Sequence, residues 1–79
     1  MDDVSIHLDP VLAHYTKRRY IRIDRRRLKT SATVQHLLDE LKIPGGMVGV
    51  IVHGGKLLER ADILPSAGDV KMYGIYDGG

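Results

Sequence analysis

The strongest constraint on this chain is its one clear helical period: Val34, Leu37, Leu38 and Leu41 stand at i, i+3, i+4 and i+7. That spacing lines four apolar side chains along a single helix face. Thr33 or Ser31 is placed to cap the start through its side-chain oxygen, and Pro44-Gly45-Gly46 is expected to end the helix. A helix of about nine residues does not persist alone in water, so its leucine face has to pack on other elements. The rest of the chain offers strands.

Val4, Ile6 and Leu8 alternate with Ser5, His7 and Asp9, the pattern of a half-buried strand closed by Pro10. Val11, Leu12 and Tyr15 allow one helical turn in the connection that follows. Tyr20 to Asp24 reads as a second strand, with Ile21 and Ile23 on one side and Tyr20 and Arg22 on the other. Val48 to His53 is β-branched and almost uncharged, which predicts a central strand buried on both faces. Gly54-Gly55 supplies the two positive-φ residues of a tight hairpin, and Lys56 to Arg60 returns as a short strand. After a loop over 62–69, Val70, Met72 and Gly74 alternate with Lys71, Tyr73 and Ile75 in the last strand. Two hairpins with one helix between them predict an α+β fold, a mixed sheet of four to five strands with the helix across one face. The first and last strands are free to pair in parallel at the sheet centre, which is the β-grasp (ubiquitin-like) arrangement. Residues 1–75 are expected to form one domain and residues 76–79 a flexible tail.

Composition narrows the chemistry. A chain of 79 residues buries only about 60–65% of its unfolded surface, so stability is expected to be modest. With no cysteine there is no disulfide scaffold, thiolate metal site or cysteine nucleophile. No apolar run approaches the roughly 18–20 residues of a membrane span, and the acidic start Met1-Asp2-Asp3 is the wrong flank for a signal peptide. A cytoplasmic location is therefore expected. The net charge of +2 hides a cluster: eight of the twelve basic residues lie between Lys17 and Lys29, with Asp24 as the only acid. Such a cluster attracts phosphate backbones or an acidic protein face. Nothing resembles a catalytic centre. The carboxylates are scattered, the four histidines lack metal-ligand spacing, and Ser5, Ser31 and Ser66 sit in no nucleophile motif.

The carboxyl end is different. Gly78-Gly79 follows the last strand by a few residues, and an end without Cβ atoms can thread a narrow channel and bring its carboxylate to a bound nucleotide. Taken with the Thr33–Leu38 helix, the Val48–Gly54 hairpin and the Gly68-Asp69-Val70 turn, the chain resembles the ubiquitin-like sulfur carriers of the MoaD/ThiS family. The longer connection from Leu12 to Arg19 resembles the MoaD-type members. The resemblance covers nearly the whole chain.

It implies a carrier that is no enzyme itself. An E1-like adenylyltransferase would use ATP and magnesium to convert the Gly79 carboxylate to an acyl adenylate. A sulfur donor protein would displace AMP to leave a thiocarboxylate on Gly79, and a sulfur-accepting synthase of molybdopterin or thiamine type would consume it. Gly78 would thread the channel. The chain would bind no cofactor or metal, act as a monomer, and need neither membrane nor nucleic acid. Docking is expected on the sheet face opposite the helix, through Tyr73, Ile75, Tyr20 and His7, with Tyr76 and Asp77 on the approach to the tail. Arg18, Arg19 and Arg22 would steer an acidic partner. Two other readings stay open: a protein modifier joined to lysines through Gly79, and a binding module that uses the basic segment 17–29.

Overall fold

The computed structural model describes residues 3–75. Its elements, in order, are β1 (Asp3–Leu8), α1 (Pro10–Thr16), β2 (Tyr20–Asp24), α2 (Val34–Leu41), β3 (Val48–His53), β4 (Lys56–Leu58) and β5 (Gly68–Gly74). Short 3-10 turns at Arg25–Arg27 and Gly45–Met47 flank the α2 region. The five strands form one sheet in the order β2-β1-β5-β3-β4. β1 pairs in parallel with β5, with Ile6 opposite Val70. The other pairings are antiparallel.

Period-two alternation decides what the sheet buries. Val4, Ile6 and Leu8 of β1, Ile21 of β2, Ile51 of β3, and Val70 and Met72 of β5 all point to one face and are buried. Leu12 of α1 and Val34, Leu37 and Leu38 of α2 close over them. Each such side chain contributes about 1.5–3 kcal/mol on leaving water. This layer holds the short α2 in place.

Thr33 is the cap of α2. Its Oγ1 accepts the His36 N–H at 3.3 Å, while its own N–H donates to His36 Nδ1 at 3.0 Å. This is a capping box with histidine in the place usually taken by Glu or Gln. The other end differs from expectation. α2 stops at Lys42, whose backbone is left-handed at φ 59°, before Pro44-Gly45-Gly46 is reached. Lys42 donates its N–H to Asp39 O and Ile43 donates to Leu38 O, so a helix-closing motif that favours glycine is made with lysine. Replacing Lys42 by glycine removes Cβ strain and is expected to stabilise the fold by about 0.5–1 kcal/mol, seen as a higher urea midpoint.

Two strand expectations also change. β4 spans only Lys56–Leu58, shorter than the 56–60 run. β3 is second from the edge and is buried only on its inner face, with Gly49 and Val50 exposed and Ile51 facing the core. The middle position belongs to β5. Residues 48–53 carry β-branched side chains because these suit pleated backbone, and no second layer covers their outer side.

Candidate functional site at the outer sheet face

The site begins where β5 ends. Asp9, buried just after β1, uses both carboxylate oxygens to hold this point. Oδ1 accepts the Leu12 N–H at 3.0 Å and caps α1, while Oδ2 accepts the Gly74 N–H at 2.8 Å. Ile75 donates its N–H to Met47 O at 2.9 Å. The main chain is therefore fixed through residue 75. The expected roles of Tyr76, Asp77, Gly78 and Gly79 fall outside the described residues.

Gly74 is required here by close approach. A Cβ at this position would lie 2.6 Å from Val11 Cγ1 and 2.8 Å from Val11 Cβ, both on α1. Gly74→Ala is expected to push α1 off the sheet at a cost of about 1–3 kcal/mol, measurable by chemical denaturation. Gly49 leaves similar room for Ile75, whose Cγ1 would be 3.1 Å from an added Cβ.

The face opposite the helices has two halves. On the β1–β2 side the side chains answer one another. His7 Nε2 lies 3.0 Å from Asp69 Oδ1, His7 and Tyr20 stack edge to face at 5.0 Å, and Ser5 Oγ shares a hydrogen bond with the Tyr20 hydroxyl at 3.1 Å. His53 is on β3, opposite Val70 and with the parity of Ile51, and its Nδ1 reaches the Asp69 carbonyl at 3.0 Å. On the β5–β3–β4 side the surface is mostly apolar, with Lys71 exposed among its members opposite Val52. Val50 is opposite Tyr73, and Val52 is opposite Leu57, so all four point outward. Leu57 is 76% exposed, Tyr73 44% and Val50 43%, and Ile75 at 49% continues the patch to the last described residue.

The structure thus places Tyr73, Ile75, Tyr20 and His7 on the exposed surface, but in different settings. His7 and Tyr20 are engaged with neighbours, whereas Tyr73 and Ile75 join Val50, Val52 and Leu57. Val50 and Val52 escape the sequence reading because a β3 read as buried on both faces has no surface to offer, and Leu57 because the short β4 was given no outward face. The exact alternation Val50–Val52, matched by Leu57 across the Gly54-Gly55 turn, was the available signal.

The basic cluster does not form one surface. Lys17, Arg18 and Arg19 precede β2, beside the tail root, where Leu8 donates its N–H to Arg19 O at 2.8 Å. Arg25, Arg26, Arg27 and Lys29 follow β2, at the opposite end of the sheet. Five strand residues separate the two groups by about 17 Å. Arg19 and Lys71 edge a small pocket of about 200 Å³ beside Tyr73, which adds positive charge near the tail root. At the far end the Arg26 side chain, then its backbone N–H, hydrogen-bonds the Asp24 carboxylate and holds it below the usual range. Among the described residues, no three His, Cys, Asp or Glu side chains converge on a metal position. No described helix is long and apolar enough to cross a membrane.

Comparison with known structures identifies the fold. The chain is similar to SAMP1 from Haloferax volcanii at a TM-score of 0.65 and 15% identity, over 98% of this chain and 99% of that one. A second structure, H. volcanii small archaeal modifier protein 1, matches with the same score and identity over 92% of this chain and 97% of that one. No protein-family model and no curated protein matches the chain. The fold is an α+β, ubiquitin-like β-grasp with a five-stranded mixed sheet.

Proposed function

We propose that this chain is a ubiquitin-like carrier whose Gly79 carboxylate is activated by an E1-like adenylyltransferase and then loaded with sulfur. The observation that carries the reading is the placement of an apolar patch, exposed Val50, Leu57, Tyr73 and Ile75 around half-buried Val52, directly beside the root of a segment ending in Gly78-Gly79. An activating enzyme needs both features: a face to grip and a slim end to receive. The carboxylate attacks the α-phosphorus of ATP and releases pyrophosphate, with magnesium held by the partner. A donor protein that delivers sulfur at the hydrosulfide level then displaces AMP, leaving a thiocarboxylate on Gly79. A synthase of molybdopterin or thiamine type takes the sulfur. This chain supplies the reacting atom and the docking surface.

A second reading has its own support. The structural neighbours carry the name small archaeal modifier protein. In that reading a lysine amine, in place of a sulfur nucleophile, displaces AMP and forms an isopeptide bond. The reading of a binding module that uses the basic segment 17–29 has less support, because β2 carries residues 17–19 and 25–29 to opposite ends of the sheet, with Arg22 alone of the basic residues between them.

The experiment is ATP–pyrophosphate exchange with a candidate adenylyltransferase, followed by intact mass after a sulfur donor is added. Exchange together with replacement of one oxygen by one sulfur at the C-terminus supports the carrier. Exchange followed only by lysine-linked products supports the modifier. No exchange with any E1-like enzyme of the same cell, or a native product whose mature end is not Gly79, defeats both.

A further inference from the structure

An open pocket of about 660 Å³ lies at the end of the sheet away from the tail, between the turn that follows β2 and the segment leading into β5. Leu28, Ile63, Leu64 and Pro65 give it apolar walls, and Arg26 and Thr30 stand on its rim. Ile63 is 55% exposed, a large aliphatic group left in water. The seven residues of β5 put the pocket about 20 Å from the tail root.

We propose that this pocket binds an extended, acidic protein segment that seats one aliphatic side chain against Ile63 and Pro65. The walls are preformed. Leu64 donates its N–H to Ala32 O at 2.8 Å and Val34 donates to Asp62 O at 2.9 Å, so residues 62–64 run antiparallel to 32–34. By the alternation of an antiparallel pair, the N–H and C=O of Ile63 point away from that partner, and they carry no backbone hydrogen bond among the described residues. They offer an extended chain the start of a ladder.

Charge selects the partner. Both charged residues lining the pocket, Arg25 and Arg26, are cations, and no carboxylate lines it. Arg25 is bonded only to carbonyl oxygens, so no negative side chain offsets it. Arg27 and Lys29 are exposed on the same turn, and Asp24, bonded to Arg26, is the single acid among residues 24–29. An acidic segment complements this surface. A nucleic acid fits it less well, because no aromatic ring lines the pocket to stack a base.

The test is an NMR titration of the ¹⁵N-labelled full chain with a capped peptide of alternating Glu and Leu. A Lys–Leu peptide and a short oligothymidylate serve as comparisons. At low salt the Glu–Leu peptide is expected to shift amides of residues 25–30 and 63–66, and Ile63→Ser or Arg26→Gln is expected to weaken it about tenfold. Ile63→Ser alters only an exposed side chain, so it decides the matter if Arg26→Gln disturbs the turn. Three results would each overturn the proposal: shifts elsewhere or none, equal shifts with the Lys–Leu peptide, or oligothymidylate moving these amides when the Glu–Leu peptide does not. Neither variant changes the sequence of residues 74–79, so adenylation at Gly79 is tested separately and stands or falls on its own.

Discussion

Deleting Gly79, or adding one residue after it, is expected to reduce ATP–pyrophosphate exchange to the background of the adenylyltransferase alone. The reason is geometric. The proposed chemistry takes place at one carboxylate, and each residue of extended chain moves it by about 3.3–3.6 Å. A misplacement of even 1 Å from a near-attack geometry costs on the order of 100-fold, so a whole residue removes the reaction. An added residue also converts the Gly79 carboxylate to an amide, which cannot take up the adenylyl group. The shortened chain keeps Val50, Leu57 and Tyr73, so it is expected to inhibit exchange by the intact chain competitively. Tyr73→Asp should have the complementary effect, raising KM while leaving kcat nearly unchanged, because it damages docking and leaves the end intact. Equal exchange by the intact and shortened chains would end the carrier and modifier readings together.

Arg25→Ala is expected to lower stability by about 2–4 kcal/mol, a large share of the margin of so small a domain. Arg25 is 7% exposed and pairs with no carboxylate. Its guanidinium spans two segments. Nε donates to Leu64 O at 3.3 Å, while Nη1 donates to Lys29 O at 2.8 Å and to Leu28 O at 3.5 Å. Nη2 donates to Thr30 O at 3.3 Å. These bonds clamp the loop before α2 to the segment before β5, and truncation removes every donor at once. Lysine is a poor substitute, because an ammonium is a point donor and cannot reproduce the planar fork. Arg25→Lys should therefore recover less than half of the loss in a urea titration. If both variants stay within about 0.5 kcal/mol of the parent, the range of ordinary surface changes, the clamp has no energetic weight.

Much of the architecture was legible because it depends on local rules. Thr33 as one of two capping candidates, the leucine face of α2 and the alternation of β1, β2 and β5 each follow from a few neighbouring residues. Gly54 and Gly55 adopt φ 58° and 80°, as a two-residue hairpin demands. The parallel pairing of β1 with β5 followed from element order. The errors arose where a local pattern admits two environments. A β-branched run suits a buried strand and a half-exposed one equally, so β3 was assigned a second covered face that it lacks. Lys42 in a left-handed cap gave no sign, since that position is usually taken by glycine and none stands there.

The candidate site was half legible. Outward-facing Tyr73 and Ile75 came from the parity of β5, but their grouping with Val50, Val52 and Leu57 needed the β3–β5 and β3–β4 registers. Asp9 reads only as a residue before a proline, and nothing local says that its carboxylate will bridge 65 residues of chain to Gly74.

The amino-acid order alone determined the element types and the core-facing residues of β1, β2, β5 and α2, because those depend on periodicity and turn chemistry within a few residues. The β1–β5 pair followed from the order of the elements. Only the tertiary structure decided which of three consecutive arginines became a buried clamp and which stayed in water. It also decided that seven of the eight basic residues between Lys17 and Lys29 are split between the two ends of the sheet, with Arg22 exposed midway on β2. Both outcomes depend on where a strand of fixed rise carries the chain and what it meets there, and no single stretch of sequence contains that information.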